Sequence, residues 1–216
     1  MKKGLFFCGG LFLVLFFPLR YGFAQNQGGV EADALAAYKN GNYESAVAIC
    51  KNELAQNPGN LDSHVVISWS LISLGRYEEA LNYARQGRLL SRYDSRIIEI
   101  LGEIGYYQGR NTDSLEYFQE YVNLAPEGGR IDLVYYFIGE IYIRLGRFRH
   151  ADIALSTAVH YVPGNARWWT RLAYARENAG ELQEAVRAYE QALSLNAQYA
   201  DARRGLERTR QAMAIR

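Results

Sequence analysis

From about residue 30 onward the chain alternates apolar runs at helical spacing with short breaks that carry glycine. Val65, Ile67, Trp69, Leu71, Ile72 and Leu74 form one run. After a break at Gly75, residues Ala80, Leu81, Ala84, Leu89 and Leu90 form the next. Apolar positions in this pattern predict two amphipathic helices, each of roughly 14 residues and about 20 Å. The break itself recurs. Gly41, Gly75, Gly109, Gly146 and Gly180 follow one another at steps of 34, 34, 37 and 34 residues. Two residues after each comes Tyr43, Tyr77, Asn111, Phe148 or Leu182, and three further on Ala46, Ala80, Ser114, Ala151 or Ala185. Glycine ends the first helix in a left-handed turn. The small residue after it lets the second helix come close. Pro58, Pro126 and Pro163 close three of the units, where a helix cannot continue. A constant period of this length marks a repeat array.

Spacing, small residues, aromatics and closing prolines together resemble the tetratricopeptide repeat family. In that register the units are 27–60, 61–94, 95–128, 132–165 and 166–199. The first-helix signature of this family corresponds to Leu101-Gly102, Ile138-Gly139 and Leu172-Ala173, with Trp169 as the preceding aromatic. The resemblance implies an all-α, right-handed superhelical solenoid of five helix-turn-helix repeats. Residues 200–216 read as a C-terminal capping helix. Its stripe is Ala202, Leu206, Thr209 and Met213, and Arg203, Arg204, Glu207 and Arg210 face water, because the last repeat must otherwise expose its apolar face.

The first residues follow a different pattern. Lys2 and Lys3 precede an almost wholly apolar stretch from Gly4 to Phe17, and Gly22-Phe23-Ala24 offers small residues at the cleavage positions. This predicts residues 1–24 as a signal peptide cut after Ala24, with an uncleaved anchor as the alternative. Either way the remainder is expected outside the cytoplasm, periplasmic or envelope-associated. Cys8 lies inside the apolar run, so no lipid anchor is expected.

Lys2, Lys3 and Arg20 leave with the leader and no acid does, so 21 basic residues remain against 23 acidic, a net charge of −2. No broad basic field for nucleic acid is present. Membrane contact is expected only through an uncleaved leader or a partner. Cys50 alone remains, which excludes an internal disulfide and reads as a small buried hydrophobe. His64, His150 and His160 have no metal-ligand spacing to another His or Cys. Glu99 and Glu103 lie one helical turn apart but have no nucleophile or His partner in the pattern. The chain reads as a non-enzyme without metal or cofactor.

The resemblance implies binding of a peptide or protein partner in a concave groove lined by the first helices. The residues expected there are Trp69, Glu99, Glu103, Tyr106, Tyr136, Glu140, Arg167 and Tyr174. Aromatic surface beside fixed charge suits recognition. Glu103 and Glu140 form an expected acidic rail for a basic or amphipathic segment, against the simpler reading of solvated acids and sideways-packed aromatics. The carboxylate clamp of some family members is not expected: Glu31 and Leu35 replace its first Lys and Asn, Val66 and Ile100 fill later polar positions, and only Arg96 survives. Arg76, Arg110 and Arg147 follow successive turn glycines and form an expected basic strip along one edge, or simply solvated turns.

The third unit departs from the pattern, with Asn111, Ser114, Gly105 and Tyr121 at positions of other residue types. Tyr121 is expected to fill space beside Gly105. The segment 127–131 carries Gly128 and Gly129 and the three-residue excess, which predicts either a flexible joint or a longer surface loop. The functional expectation is a non-catalytic scaffold that supports assembly of a cell-envelope complex. A small-ligand-binding accessory protein of an envelope transporter is the alternative, and self-association into a homo-oligomer a third reading.

Overall fold

The computed structural model describes residues 33–215. The expected leader, its cleavage site and Glu31 lie outside them. Eleven helices and no strand occur among the described residues. They are α1 (Ala34–Lys39), α2 (Tyr43–Gln56), α3 (Leu61–Ser73), α4 (Tyr77–Leu90), α5 (Ser95–Tyr107), α6 (Asn111–Leu124), α7 (Ile131–Arg144), α8 (Phe148–Tyr161), α9 (Ala166–Ala179), α10 (Leu182–Leu195) and α11 (Ala200–Ala214).

The two ends of a pair are made by different chemistry. Gly41, Gly75, Gly109, Gly146 and Gly180 all have φ between 67° and 87°. That left-handed backbone is open to glycine at no steric cost, and it turns each odd helix into the next even one. Four of the six odd helices instead begin on side-chain caps. Asp33, Asn60, Asp94 and Asn165 each accept a backbone N–H of the first turn, worth about 1 kcal/mol apiece. At α7 and α11 the cap positions are held by Arg130 and Tyr199, whose side chains make no cap bond.

Consecutive helices pack along the whole array. Each odd helix also packs on the next odd one, from α1 and α3 through to α9 and α11, whereas no two even helices pack backbone to backbone, α4 and α6 meeting only through the long side chains of Arg88 and Glu120 among the described residues. The odd helices are therefore the inner layer and the even ones fan apart outside, which gives the solenoid its concave side. Helix α5 is its keystone: Ile97 through Tyr106 are all buried. Ile97, Ile100, Leu101 and Ile104 belong to one apolar cluster with α1–α4, and Ile98 and Tyr106 to a second that runs to α11.

Helix α11 closes the second cluster. Ala202, Leu206 and Thr209 are buried, while Met213 lies at the exposed rim. Gly205 sets its approach to α10, since a Cβ there would stand 2.2 Å from the Tyr189 ring.

The segment 127–131 is tied down. The Gly128 N–H donates to the Ala125 carbonyl, the Ile131 N–H to the Gly128 carbonyl, and the Arg130 N–H to the Tyr121 hydroxyl at 3.2 Å. Tyr121 thus corrects its expected placement. Gly105 faces Ser114, and it is Gly128 that leaves room for the Tyr121 hydroxyl. Ser114 also donates to the Gly102 carbonyl at 2.6 Å, so a hydroxyl is satisfied where other units carry alanine.

Candidate functional site

The residues expected in the groove fall into two polar-aromatic knots on the inner helices. The first joins α1, α3, α5 and the start of α7. Tyr38 stacks on Trp69 with ring centres 5.7 Å apart. The Trp69 indole N–H donates to Glu99 at 3.3 Å. Arg130 reaches in from the joint, donates to Glu99 at 2.8 Å and Glu103 at 3.2 Å, and lies 5.5 Å from the Trp69 ring centre. Glu99 is wholly buried and Glu103 nearly so. Burial, and then the Glu99 charge, raises the Glu103 carboxyl well above its ordinary range despite Arg130. Burial acts against the Arg130 charge, yet Glu99 and Glu103 outweigh it and hold the guanidinium protonated.

The second knot joins α5, α7 and α9. The Arg144 guanidinium lies 3.7 Å from the Tyr106 ring centre and donates to the Tyr106 carbonyl at 2.7 Å. Arg167 covers Tyr136 at 5.6 Å and Arg171 covers Tyr174 at 5.3 Å. Tyr136 also stacks on Trp168, with centres 5.1 Å apart. Arg171 donates to Glu140 at 2.5 Å. Cation–aromatic contacts of this kind contribute about 0.5–2 kcal/mol each, depending on exposure.

These contacts correct the acidic-rail expectation. Glu103 and Glu140 do not present open charge, because Glu103 meets Arg130 of the inserted segment and Glu140 meets Arg171 of the following unit. Tyr106 and Tyr136 are also largely inside, at 9% and 4% exposure. Trp69 and Tyr174 are half-buried, and Arg167 is exposed. The edge strip is likewise engaged in part. Arg76 pairs with Glu79 and Glu44, and Arg110 with Asp113, while Arg147 is exposed.

Sequence reasoning missed Arg130, Arg144, Arg171 and Arg208. A signal for three of them was present. Glu99 and Arg130, Glu140 and Arg171, and Glu177 and Arg208 are each 31 residues apart and pair at 2.8, 2.5 and 2.6 Å. For the last two couples this separation is one repeat less one helical turn. Side chains lean toward their helix N-terminus, so a glutamate meets the neighbouring helix about one turn early.

The three histidines serve packing or face solvent. His64 is buried with Nε2 3.0 Å from the Pro58 carbonyl, His150 lies against Tyr142, and His160 is exposed. Burial pushes the Cys50 thiol up to about 12, which suppresses the reactive thiolate. Among the described residues no group of three metal-ligating side chains converges, and no helix is long and apolar enough to cross a membrane.

Comparison with known proteins defines the class. Family models described as "Tetratricopeptide repeat" match residues 67–129, 133–160 and 166–199. One described as "Anaphase-promoting complex, cyclosome, subunit 3" matches residues 30–86. The chain carries tetratricopeptide repeats. A curated relative, the BBSome complex member BBS4 homolog of Drosophila melanogaster, is 25% identical over 154 residues, 67% of this chain and 32% of that protein. The chain thus spans about a third of that relative's length. Among solved structures, MamA superposes with a TM-score of 0.65 at 20% identity, covering 78% of this chain and 97% of that one. PilW, described as a widely conserved type IV pilus biogenesis factor, gives 0.73 at 19% identity, covering 84% and 83%. Both share the fold.

Proposed function

We propose that this protein is a non-catalytic scaffold that holds a segment of a partner protein in the groove of its inner helices. The observation that carries this reading is the tyrosine–arginine ladder. Arg144 on Tyr106, Arg167 on Tyr136 and Arg171 on Tyr174 repeat across α5, α7 and α9. Tyr and Arg are enriched among the residues that carry binding energy at protein interfaces, and Arg144, Arg167 and Tyr174 are members of the ladder that reach solvent. The ladder holds them in place before any partner arrives, which lowers the ordering cost of binding.

The place of action belongs to the same proposal. The positive head, apolar stretch and small-residue site at the start of the chain favour export and a role in assembling a cell-envelope complex. PilW, described as a pilus biogenesis factor, has the same fold and is compatible with such a role.

The test is a photo-crosslinking residue at Tyr174, activated in living cells. The half-buried Tyr174 is the better site, since Tyr136 is covered. Discrete protein adducts are expected. Their absence, with a small molecule retained on the purified protein, moves the assignment to a ligand-binding accessory protein. Cleavage after Ala24 is checked by the N-terminal sequence of the exported protein.

A further inference from the structure

The inner face changes sign along its length. Helices α3 and α5 carry Asp62, Glu99 and Glu103 against Arg96. Helices α9 and α11 present Arg167, Arg171, Arg204 and Arg208 there against Glu177 and Asp201, while Arg176 and Arg210 turn to Asp152 and Glu190 of the outer layer. The acidic half is closed by burial and by Arg130. The basic half is open. Between α7, α9 and α11 lies a recess of about 490 Å³, walled by Arg167, Arg171, Arg204 and Arg208 with Tyr174 and Tyr199, and carrying the carboxylates of Glu140 and Asp201.

Most of these arginines already hold one acid: Arg171 has Glu140, Arg204 has Asp201 and Arg208 has Glu177. One carboxylate leaves donors to spare on a guanidinium, which has five. Arg204 and Arg208 keep 68% and 54% of their side chains exposed. Arg167 has no carboxylate partner among the described residues. It is exposed and stands in the first turn of α9, where no acid is present. A cation there opposes the helix dipole, so an anion beside it relieves an unfavourable placement. The Tyr136 ring beneath Arg167 has a buried hydroxyl with no hydrogen-bond partner. The recess combines spare guanidinium donors with aromatic walls.

We infer that this C-terminal half of the groove takes an acidic segment of the partner protein, its side-chain carboxylates on Arg167 and Arg204 and its stems against Tyr174 and Tyr199. The inference rests on the groove reading above and gives it a chemistry opposite to the basic segment that an open acidic rail suits. Carboxylate is the chemistry a planar guanidinium fork takes in two parallel bonds.

The test uses the full chain and a fluorescein-labelled glutamate-rich peptide, followed by anisotropy. Saturable, salt-sensitive binding is expected, weakened at least about tenfold by Arg167→Glu with Arg204→Glu. Both side chains are largely in water, so the melting temperature should hold. Arg147→Glu makes the same charge change as either single reversal, on the turn edge, and should leave binding intact. Equal loss with Arg147→Glu, or equal binding of a lysine-rich peptide, overturns the inference. So does tighter binding of a DNA oligonucleotide or of phosphatidylserine vesicles than of the peptide. The Tyr174 crosslink separates this inference from the groove reading. Adducts that persist unchanged in the double variant sink the acidic chemistry alone. No adducts in the parent protein sink the groove itself.

Discussion

Glu99 and Arg130 stand 31 residues apart in sequence and 2.8 Å apart in space. The bond crosses from the centre of α5 to the residue before α7. It ties the inner layer together beside the one unit boundary that carries extra residues. Arg130 occupies the position that a side-chain cap fills in α3, α5 and α9. The chain has given up a local cap there and placed a long-range clamp instead.

Removing that clamp strands two buried acids. Arg130→Met is expected to destabilise the protein by about 2–4 kcal/mol, because breaking a buried pair leaves charge uncompensated. That corresponds to a fall of roughly 5–10 °C in melting temperature for a chain of this size. Adding Glu99→Gln to the same background should recover part of the loss, since one stranded charge is then neutral. Thermal unfolding of the two variants and the parent checks both statements.

The Glu103 carboxyl gives a pH dependence of definite sign. Its pKa is raised in the folded state by burial and by Glu99. The native protein therefore binds a proton that the unfolded chain releases, and stability falls as pH rises. The window opens near the ordinary 4.5 and closes at the raised value, in the weakly alkaline range. Glu103→Gln should flatten this decline and melt higher than the parent at pH 8. A parent melting temperature that rises between pH 5 and pH 8, with Glu103→Gln unchanged, contradicts this assignment.

The joint at 127–131 should exchange its amides no faster than the other inter-repeat turns. Its N–H groups at Gly128, Arg130 and Ile131 are all bonded. Tyr121→Phe removes the acceptor of the Arg130 amide. With a net hydrogen-bond contribution of about 1 kcal/mol, exchange at Arg130 should quicken roughly fivefold. Hydrogen exchange read by mass spectrometry distinguishes this from a loose hinge.

Gly205→Ala is expected to destabilise by about 1–3 kcal/mol through overpacking. The new methyl collides with the Tyr189 ring, which is itself buried and bonded to Glu177. Gly164→Ala meets nothing within 4 Å and should leave stability nearly unchanged. Urea unfolding of the pair provides the comparison.

The period, the turn glycines and the helix pairing were legible because they follow from local rules repeated five times. A left-handed turn needs glycine, and a close second helix needs a small residue three positions after the turn aromatic. The groove was only half legible. Position along the first helix puts Tyr136, Glu140 and Tyr174 on the inner helices, but does not give their state of charge. Whether Glu140 is open or paired depends on Arg171 in the next unit, and a reading confined to each repeat does not see it. Tyr121 was misplaced for the same reason: its partner, the Arg130 amide, lies in the inserted segment that has no counterpart in the other units. Gly205 had no local signature at all, since its need arises from the Tyr189 ring on another helix.

The inner helices pack on one another, and the outer ones stand apart, with Arg88 and Glu120 bridging α4 and α6. Mechanically, the array is a fan hinged along its inner rim, with the three glutamate–arginine couples as rivets through that rim. Pressing the groove shut must compress side chains already in contact. Drawing the ends apart instead loads the rivets one after another, and no packed seam between outer helices opposes it. Such a body yields more readily to opening than to closing, and the segment it holds sets how far it opens.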